Sequence, residues 1–239
     1  MGTAVSLELA DPLPAGADRL AGEVFAWLDE VDQRFSTYRP DSEVCRLDRG
    51  ELPLERCSAQ LRGVLDACAE LWRATDGWFD PYATGRLDPS GYVKGWAVQE
   101  ASDRLRAAGA VNHCLNAGGD LRTSGEPAPG RRWRIGVRHP WQPERLCWVL
   151  AGNDLAVATS GTYERGFHVV DPHTGEPARQ LCSVTLVGRD LAQTDAYATT
   201  ALAMGDRALA WLASLPRLEW GVVAADRTCY RSPGLPTID

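Results

Sequence analysis

The succession of helical and extended patterns along the chain predicts an α+β fold, an antiparallel or mixed sheet packed with helices. Three observations carry that expectation. Residues 17–109 repeat apolar side chains at helical spacing; residues 111–187 switch to short alternating runs bounded by turn residues; and the two patterns come in blocks. A doubly wound nucleotide-binding sheet would alternate them strand by strand.

Residues 3–9 alternate well enough for a first strand, and Leu20, Val24, Trp27, Leu28 and Val31 then mark an amphipathic helix over about 17–35. A second helix starts at a Ser58 cap, runs through Leu61, Val64, Leu65, Cys68, Leu71 and Trp72, and stops at Gly77. A third begins near Gly91 and ends at Gly109. The strand half reads VNHCLN, DLRTSG, WRIGVRH, LCWVLAG, LAVATSG, FHVVD and CSVTLVG, with the turn-rich GEPAPGRR at 125–132 between two of them. Residues 190–213 return to an Ala-rich helix broken at Gly205, and EWGVVAAD supplies a last strand. There is no internal repeat and no low-complexity tract.

At 239 residues the chain fits one domain, possible as two lobes around one cleft. Its 44% hydrophobic and 24% charged residues are those of an ordinary globular protein, and no apolar run approaches a membrane span. The opening MGTAVSLELADP has neither a charged n-region nor an apolar h-region, so the chain as given reads as cytoplasmic; an exported form whose leader is missing is the alternative. A net charge of −7 with scattered arginines excludes a general nucleic-acid surface. A polyanionic ligand would need local help from a metal cation or a helix N-terminus. The seven cysteines show no C-x-x-C and no zinc spacing, which suits reduced thiols packed as small core residues.

Four polar clusters interrupt these elements, and each has a structural reading beside a chemical one. In TDGWFDPYATGRLDPSGYVKG, two Asp-Pro steps and several glycines precede a helix. This is either a plain glycine-rich loop or a place where backbone at Gly91 and Gly95 approaches a phosphate beside a helix N-terminus. Lys94 stands there as the only lysine among 25 basic residues, a compact ammonium able to reach a phosphate oxygen. Walker A and G-x-G-x-x-G patterns are both absent. The second cluster, Asn116-Ala-Gly118-Gly119-Asp120, is a tight turn with an Asx hydrogen bond, or the edge on which a flat ring rests. The third, His168-Val169-Val170-Asp171-Pro-His-Thr-Gly, forms a natural turn, and also puts a histidine near a carboxylate at a strand end, where it could take a proton from a hydroxyl. In the fourth, Thr194-Asp195-Ala-Tyr-Ala-Thr199-Thr200, Asp195 and Thr199 are four apart on a helix. They share one face, either as an N-terminal-turn carboxylate and a back-bonded threonine or as hard oxygen donors of the kind Mg²⁺ prefers beside substrate phosphate.

Taken in order, the clusters resemble the FAD:protein FMN transferase (ApbE-type flavin transferase) family over nearly the whole chain. Met1-Gly2-Thr3 is similar to its M-G-T opening. Phe35-Ser-Thr-Tyr38 with Ser42-Glu43 and Leu47 is similar to F-S-x-Y…S-E…L, and Phe79-Asp80-Pro81 to F-D-P. D…K-G-x-A-V, N-A-G-G-D, A-T-S-G, H-x-x-D-P-x-T-G-x-P, S-V-T and D-A-x-A-T follow in register.

The resemblance implies a T-fold-like α+β architecture and an Mg²⁺-dependent enzyme. Its substrate would be FAD, whose FMN half moves onto a Ser or Thr hydroxyl of an acceptor flavoprotein with release of AMP. It further implies that Met1, Tyr38, Asp88, Lys94 and Val169, with the Asn116, Gly118 and Gly119 turn, contact FAD. Gly91 through its carbonyl, Asp195 and Thr199 would hold the metal, and His168 with Asp171 would serve catalysis. Three departures stand out. Only seven residues separate Asp80 from Asp88, where relatives often carry a W-G-F-type flavin contact; Arg165 leads almost directly to His168; and no lipobox cysteine is visible. No acceptor-type D-x-x-[ST]-[GA]-[AT] motif occurs in the chain, so self-modification is not expected. The shortened loops keep two other functions open, hydrolysis of FAD to FMN and AMP, and non-catalytic carriage of FAD.

Overall fold

The computed structural model describes residues 3–11, 16–162, 166 and 169–238; Met1 and His168 therefore lie outside the described residues. Helix α1 (Ala17–Phe35) buries Leu20, Val24, Trp27, Leu28, Val31 and Phe35 on one face, as its spacing predicts. A short helix α2 (Glu43–Asp48), too brief to leave a periodic signature, is capped by Ser42 Oγ, which accepts the Cys45 N–H at 3.0 Å. The Ser58 hydroxyl caps α3 (Ala59–Ala74) by accepting the Leu61 N–H, and the chain leaves that helix through left-handed Asp76 and Gly77. Helix α4 (Ser90–Ala107) is held against α1 by the Trp27 indole, which donates to the Ala97 carbonyl at 2.9 Å and meets Trp96 edge-on. Helix α5 (Leu191–Met204) is buried almost throughout; a 3₁₀ turn at Gly205–Arg207 joins it to α6 (Ala208–Ser214).

Among the described residues, ten strands form two sheets. They are β1 (Val5–Leu9), β2 (His113–Ala117), β3 (Asp120–Ser124), β4 (Trp133–His139), β5 (Gln142–Gly152), β6 (Ala156–Gly161), β7 (Leu181–Gly188), β8 (Glu219–Ala224), β9 (Cys229–Arg231) and β10 (Thr237–Ile238). The larger sheet runs β1-β2-β3-β6-β7-β8-β9 and the smaller β10-β5-β4, with every ladder antiparallel. Side chains alternate across the larger sheet. Leu115, Ala156, Ala158, Val184 and Leu186 join the helical core, while Val157 and Val187 pack with Ile135, Val137, Leu150 and Leu235 of the smaller sheet's core. The result is three layers: helices, large sheet, small sheet. No described helix is long and apolar enough to cross a membrane, and all seven cysteines are free thiols.

One predicted strand needs correction. Of FHVVD, Val169–Asp171 are described, and they form only an isolated bridge between Val170 and Pro177, because the chain turns back at once through Asp171–Gly175. β5 also begins four residues before the predicted LCWVLAG, and β9 and β10 were not foreseen.

The approach of α4 to α5 positions everything that follows. A Cβ on Gly95 would overlap the Leu191 carbonyl oxygen and lie 2.7 Å from Asp195 Cβ. Ala in place of a helical Gly ordinarily gains about 1 kcal/mol. Here the obstacle is backbone that cannot swing aside, and overpacking of that kind costs about 1–3 kcal/mol or more. Gly95→Ala is therefore expected to lower Tm in a calorimetric scan, at roughly 2–4 °C per kcal/mol for a chain of this size.

A second test comes from His113, fully buried in β2 with Nδ1 2.8 Å from the Ala110 carbonyl and Nε2 2.7 Å from Ser102 Oγ. A carbonyl only accepts, so Nδ1 carries the proton and Nε2 accepts from the serine, which is the neutral imidazole. Burial holds its pKa below the ordinary value. With the folded-state pKa depressed, the stabilisation is complete above the unfolded value of about 6.5 and is lost as pH falls from there toward the folded pKa. Denaturant unfolding of wild type and His113→Phe across pH should show a steeper loss in wild type below about 6.5.

Candidate active site

A cavity of about 700 Å³ opens between the N-terminal half of α4, the middle of α5, the loops at 36–38 and 78–90, and the adjoining ends of β3 and β6. The loop before α4 is pinned from below by Asp48. Its Oδ1 accepts the Leu87 N–H at 2.9 Å and its Oδ2 pairs with Arg86. The Asp88 carboxylate accepts the Ser90 N–H at 3.0 Å and so sets the entry to α4. On the other side, Thr75 Oγ1 accepts the Phe79 N–H, and the Trp78 ring meets His173 edge-on with centroids 4.5 Å apart.

One wall carries the charge. Lys94 contacts Asp120 Oδ2 directly and lies 3.6 Å from Asp195 Oδ1. Both acids are buried, Asp120 fully and Asp195 to 2% exposure, whereas 28% of the lysine side chain is exposed, toward the cavity it lines. The second oxygen of each acid takes a backbone donor: Thr159 N–H to Asp120 Oδ1 and Gly95 N–H to Asp195 Oδ2, each at 2.9 Å. Burial, reinforced by the neighbouring Asp120 charge, pushes the Asp195 carboxyl well above the usual range, against the opposing pull of Lys94 and the Gly95 amide. Among the described residues, two buried acids thus face one lysine.

One helical turn beyond Asp195, the Thr199 hydroxyl lies 3.2 Å from Ser160 Oγ. It borders Gly91 so closely that a Cβ there would sit 3.3 Å from Thr199 Cγ2 and 3.6 Å from Oγ1. Gly91 stands in the first turn of α4, one turn before the Gly95 N–H that reaches Asp195, and its carbonyl oxygen carries two lone pairs. Gly91, Asp195 and Thr199 therefore present carbonyl, carboxylate and hydroxyl oxygens on one wall. No group of three His, Cys, Asp or Glu side chains that could hold a metal occurs among the described residues. A cation here would be held by this mixed oxygen set and completed by its substrate, an arrangement that suits Mg²⁺.

Of the other residues singled out from the sequence, Tyr38, Asp88, Lys94, Gly118 and Val169 line the same cavity. Tyr38 stands at 91% exposure. Asn116 and Gly119 do not line it. The Asn116 side chain accepts the Gly119 N–H at 3.0 Å, making the turn that presents left-handed Gly118 against Thr3 and starts β3 at Asp120. Asp171 is likewise a turn residue: its carboxylate accepts the His173 N–H at 2.8 Å, next to Val169 and Val170 on the cavity wall. His168 and Met1 lie outside the described residues. Sequence reasoning passed over Asp120 and Ser160, although both stand inside motifs it had noted, N-A-G-G-D and A-T-S-G.

The ApbE family model matches residues 1–85 and 82–220. Among curated relatives, the FAD:protein FMN transferase of Vibrio cholerae serotype O1 is 26% identical over 266 aligned residues, covering 86% of this chain and 80% of that protein. The FAD:protein FMN transferase of Rhodobacter capsulatus is 35% identical over 129 residues, covering 51% of this chain and 24% of that protein. Among solved structures, the flavin transferase ApbE from Vibrio cholerae superposes with a TM-score of 0.84 at 24% identity, covering 100% of this chain and 96% of that one. The ApbE protein of Thermotoga maritima gives 0.86 at 22% identity, covering 97% and 94%. These structures share the α+β architecture described above. With its sequence matched along most of its length, the chain belongs to the ApbE family.

Proposed function

We propose that the chain is an FAD:protein FMN transferase, which uses Mg²⁺ to move the FMN half of FAD onto a Ser or Thr hydroxyl of an acceptor protein and releases AMP. The relatives' names support flavin transfer to protein. The observation that carries the finer reading is the Lys94–Asp120–Asp195 cluster, with Thr199 and Gly91 beside it, on the wall of a cavity within the range of about 300–1,000 Å³ typical of small-molecule sites.

In this reading Asp195, Thr199 and the Gly91 carbonyl hold the cation, whose contribution when bound is to offset charge on the diphosphate. The Lys94 ammonium supplies a point charge at the same place, and the start of α4 adds the positive end of a helix dipole. Tyr38, Asp88 and Val169 contact the dinucleotide along the cavity, and Gly118 lets backbone come close to it. The Asn116–Gly119 turn acts by holding Gly118 in place.

The acceptor hydroxyl oxygen forms a bond to the FMN phosphorus as the bond from that phosphorus to the bridging oxygen breaks. AMP leaves with the electron pair of the broken bond. We assign the hydroxyl proton to His168, with Asp171 shaping the turn that follows it. Little covalent work falls to the protein, so positioning and electrostatics supply most of the rate.

Mass spectrometry of an acceptor peptide incubated with the chain, FAD and Mg²⁺ should show an FMN-sized addition. Asp195→Asn should reduce its rate by about 100-fold or more with the fold retained by circular dichroism. AMP and FMN released equally fast without acceptor would instead favour hydrolysis, and FAD binding with no AMP under any metal would favour a carrier.

A pH test needs no turnover. Asp195 is an acid raised to about 8, so without metal its contribution to stability is largest at low pH and declines as pH rises through that value. Mg²⁺ has to displace a proton at low pH and relieves a buried charge at high pH. The rise in Tm on adding Mg²⁺ should therefore grow with pH, and Asp195→Asn should abolish that growth.

A further inference from the structure

We propose that Asp120 is a positioning residue whose carboxylate draws the Lys94 ammonium off Asp195 and so keeps Asp195 available to a divalent cation. The inference rests on the metal-assisted reading above. Two buried acids compete for one ammonium, and the geometry shows which has it. Lys94 Nζ contacts Asp120 Oδ2 directly, whereas its 3.6 Å separation from Asp195 Oδ1 is beyond hydrogen-bond length.

Asp120 cannot readily follow the lysine elsewhere. It is fully buried at the first position of β3, and its other oxygen is tied to the Thr159 N–H at 2.9 Å. Its carboxylate therefore acts as a fixed anchor on the sheet, facing a flexible four-carbon stem on α4. Asp195 belongs to α5 and has one oxygen engaged by the Gly95 amide, leaving Oδ1 turned toward the lysine.

Removing the Asp120 charge would leave Asp195 as the nearer acid. A small rotation of the lysine stem would close the remaining gap, and the ammonium would then occupy the oxygen a cation needs while repelling it by like charge. In the wild-type arrangement Asp120 both holds the ammonium aside and offsets its charge. Lys94 can then stand beside a cation and a substrate phosphate without displacing that cation.

The test is a Mn²⁺ titration of the full chain, following loss of the free-ion signal by electron paramagnetic resonance. Asp120→Asn keeps the shape and an acceptor for the Thr159 N–H, and should weaken Mn²⁺ binding by about tenfold or more. Lys94→Met should bind Mn²⁺ no more weakly than wild type. The double variant should regain most of the loss, as a double-mutant cycle requires of two groups acting through each other.

Equal binding by wild type and Asp120→Asn would overturn the inference alone. A loss that Lys94→Met does not restore would make Asp120 a direct ligand or a structural residue, and would overturn it too. If Asp120→Asn does not fold, Lys94→Met still decides, because weaker Mn²⁺ binding by that variant contradicts the competition. No Mn²⁺ uptake by wild type would overturn the metal reading itself, and with it this inference.

Discussion

Two helices in this protein meet with no room for a side chain between them, and the site exists because they do. At Gly95 the backbone of α4 lies against the Leu191 carbonyl and Asp195 Cβ of α5. That proximity lets the Gly95 amide donate to Asp195 and places Lys94, the preceding residue, beside both buried acids. Any larger residue at 95 would part the helices and separate carboxylate from amide. The surrounding architecture enforces the approach: the sheet supports α4 and α5 from one side, while α1 holds α4 through Trp27.

Electrostatics explains why the cluster is built from so few charges. The chain carries a net −7, which repels a dinucleotide at long range, so a favourable field has to be local and short-range. Burial removes water from Asp120 and Asp195 and makes each neighbouring charge count for more. Among the described residues one lysine faces both acids, and burial together with the neighbouring Asp120 charge holds the Asp195 carboxyl above its ordinary range. In the proposed function a divalent cation would displace the Asp195 proton and offset the charge of a diphosphate, so metal and substrate would each improve the site for the other.

How much of this was legible in the sequence depended on how local each signal is. Helix α1 was clear because Leu20, Val24, Trp27, Leu28 and Val31 repeat on one face against a polar remainder. The six residues of α2 and the two- and three-residue strands at the C-terminal end were too short to show a period. The division into two sheets was hidden because inward-facing residues of both alternate alike. At the site, Asp195 and Thr199 announced themselves as a shared helical face. Asp120 did not, since an aspartate after paired glycines reads as part of a turn, and its importance comes from Lys94 on a different element. For Asn116 and Gly119 the motif marks the loop but not the division within it: Gly118 lines the cavity, while the Asn116 side chain holds the turn through the Gly119 N–H.

The proposed function requires the oxygen-lined wall where α4 and α5 meet to seat a divalent cation beside a dinucleotide. A crystal structure of the chain soaked with FAD and Mn²⁺, phased to show the manganese anomalous signal, tests that placement directly. One strong peak is expected at a coordination distance of roughly 2.0–2.3 Å from Asp195 and Thr199 oxygens, with the diphosphate beside Lys94. A manganese peak elsewhere, or FAD bound in the cavity with its diphosphate remote from Lys94 and Asp195, would contradict it.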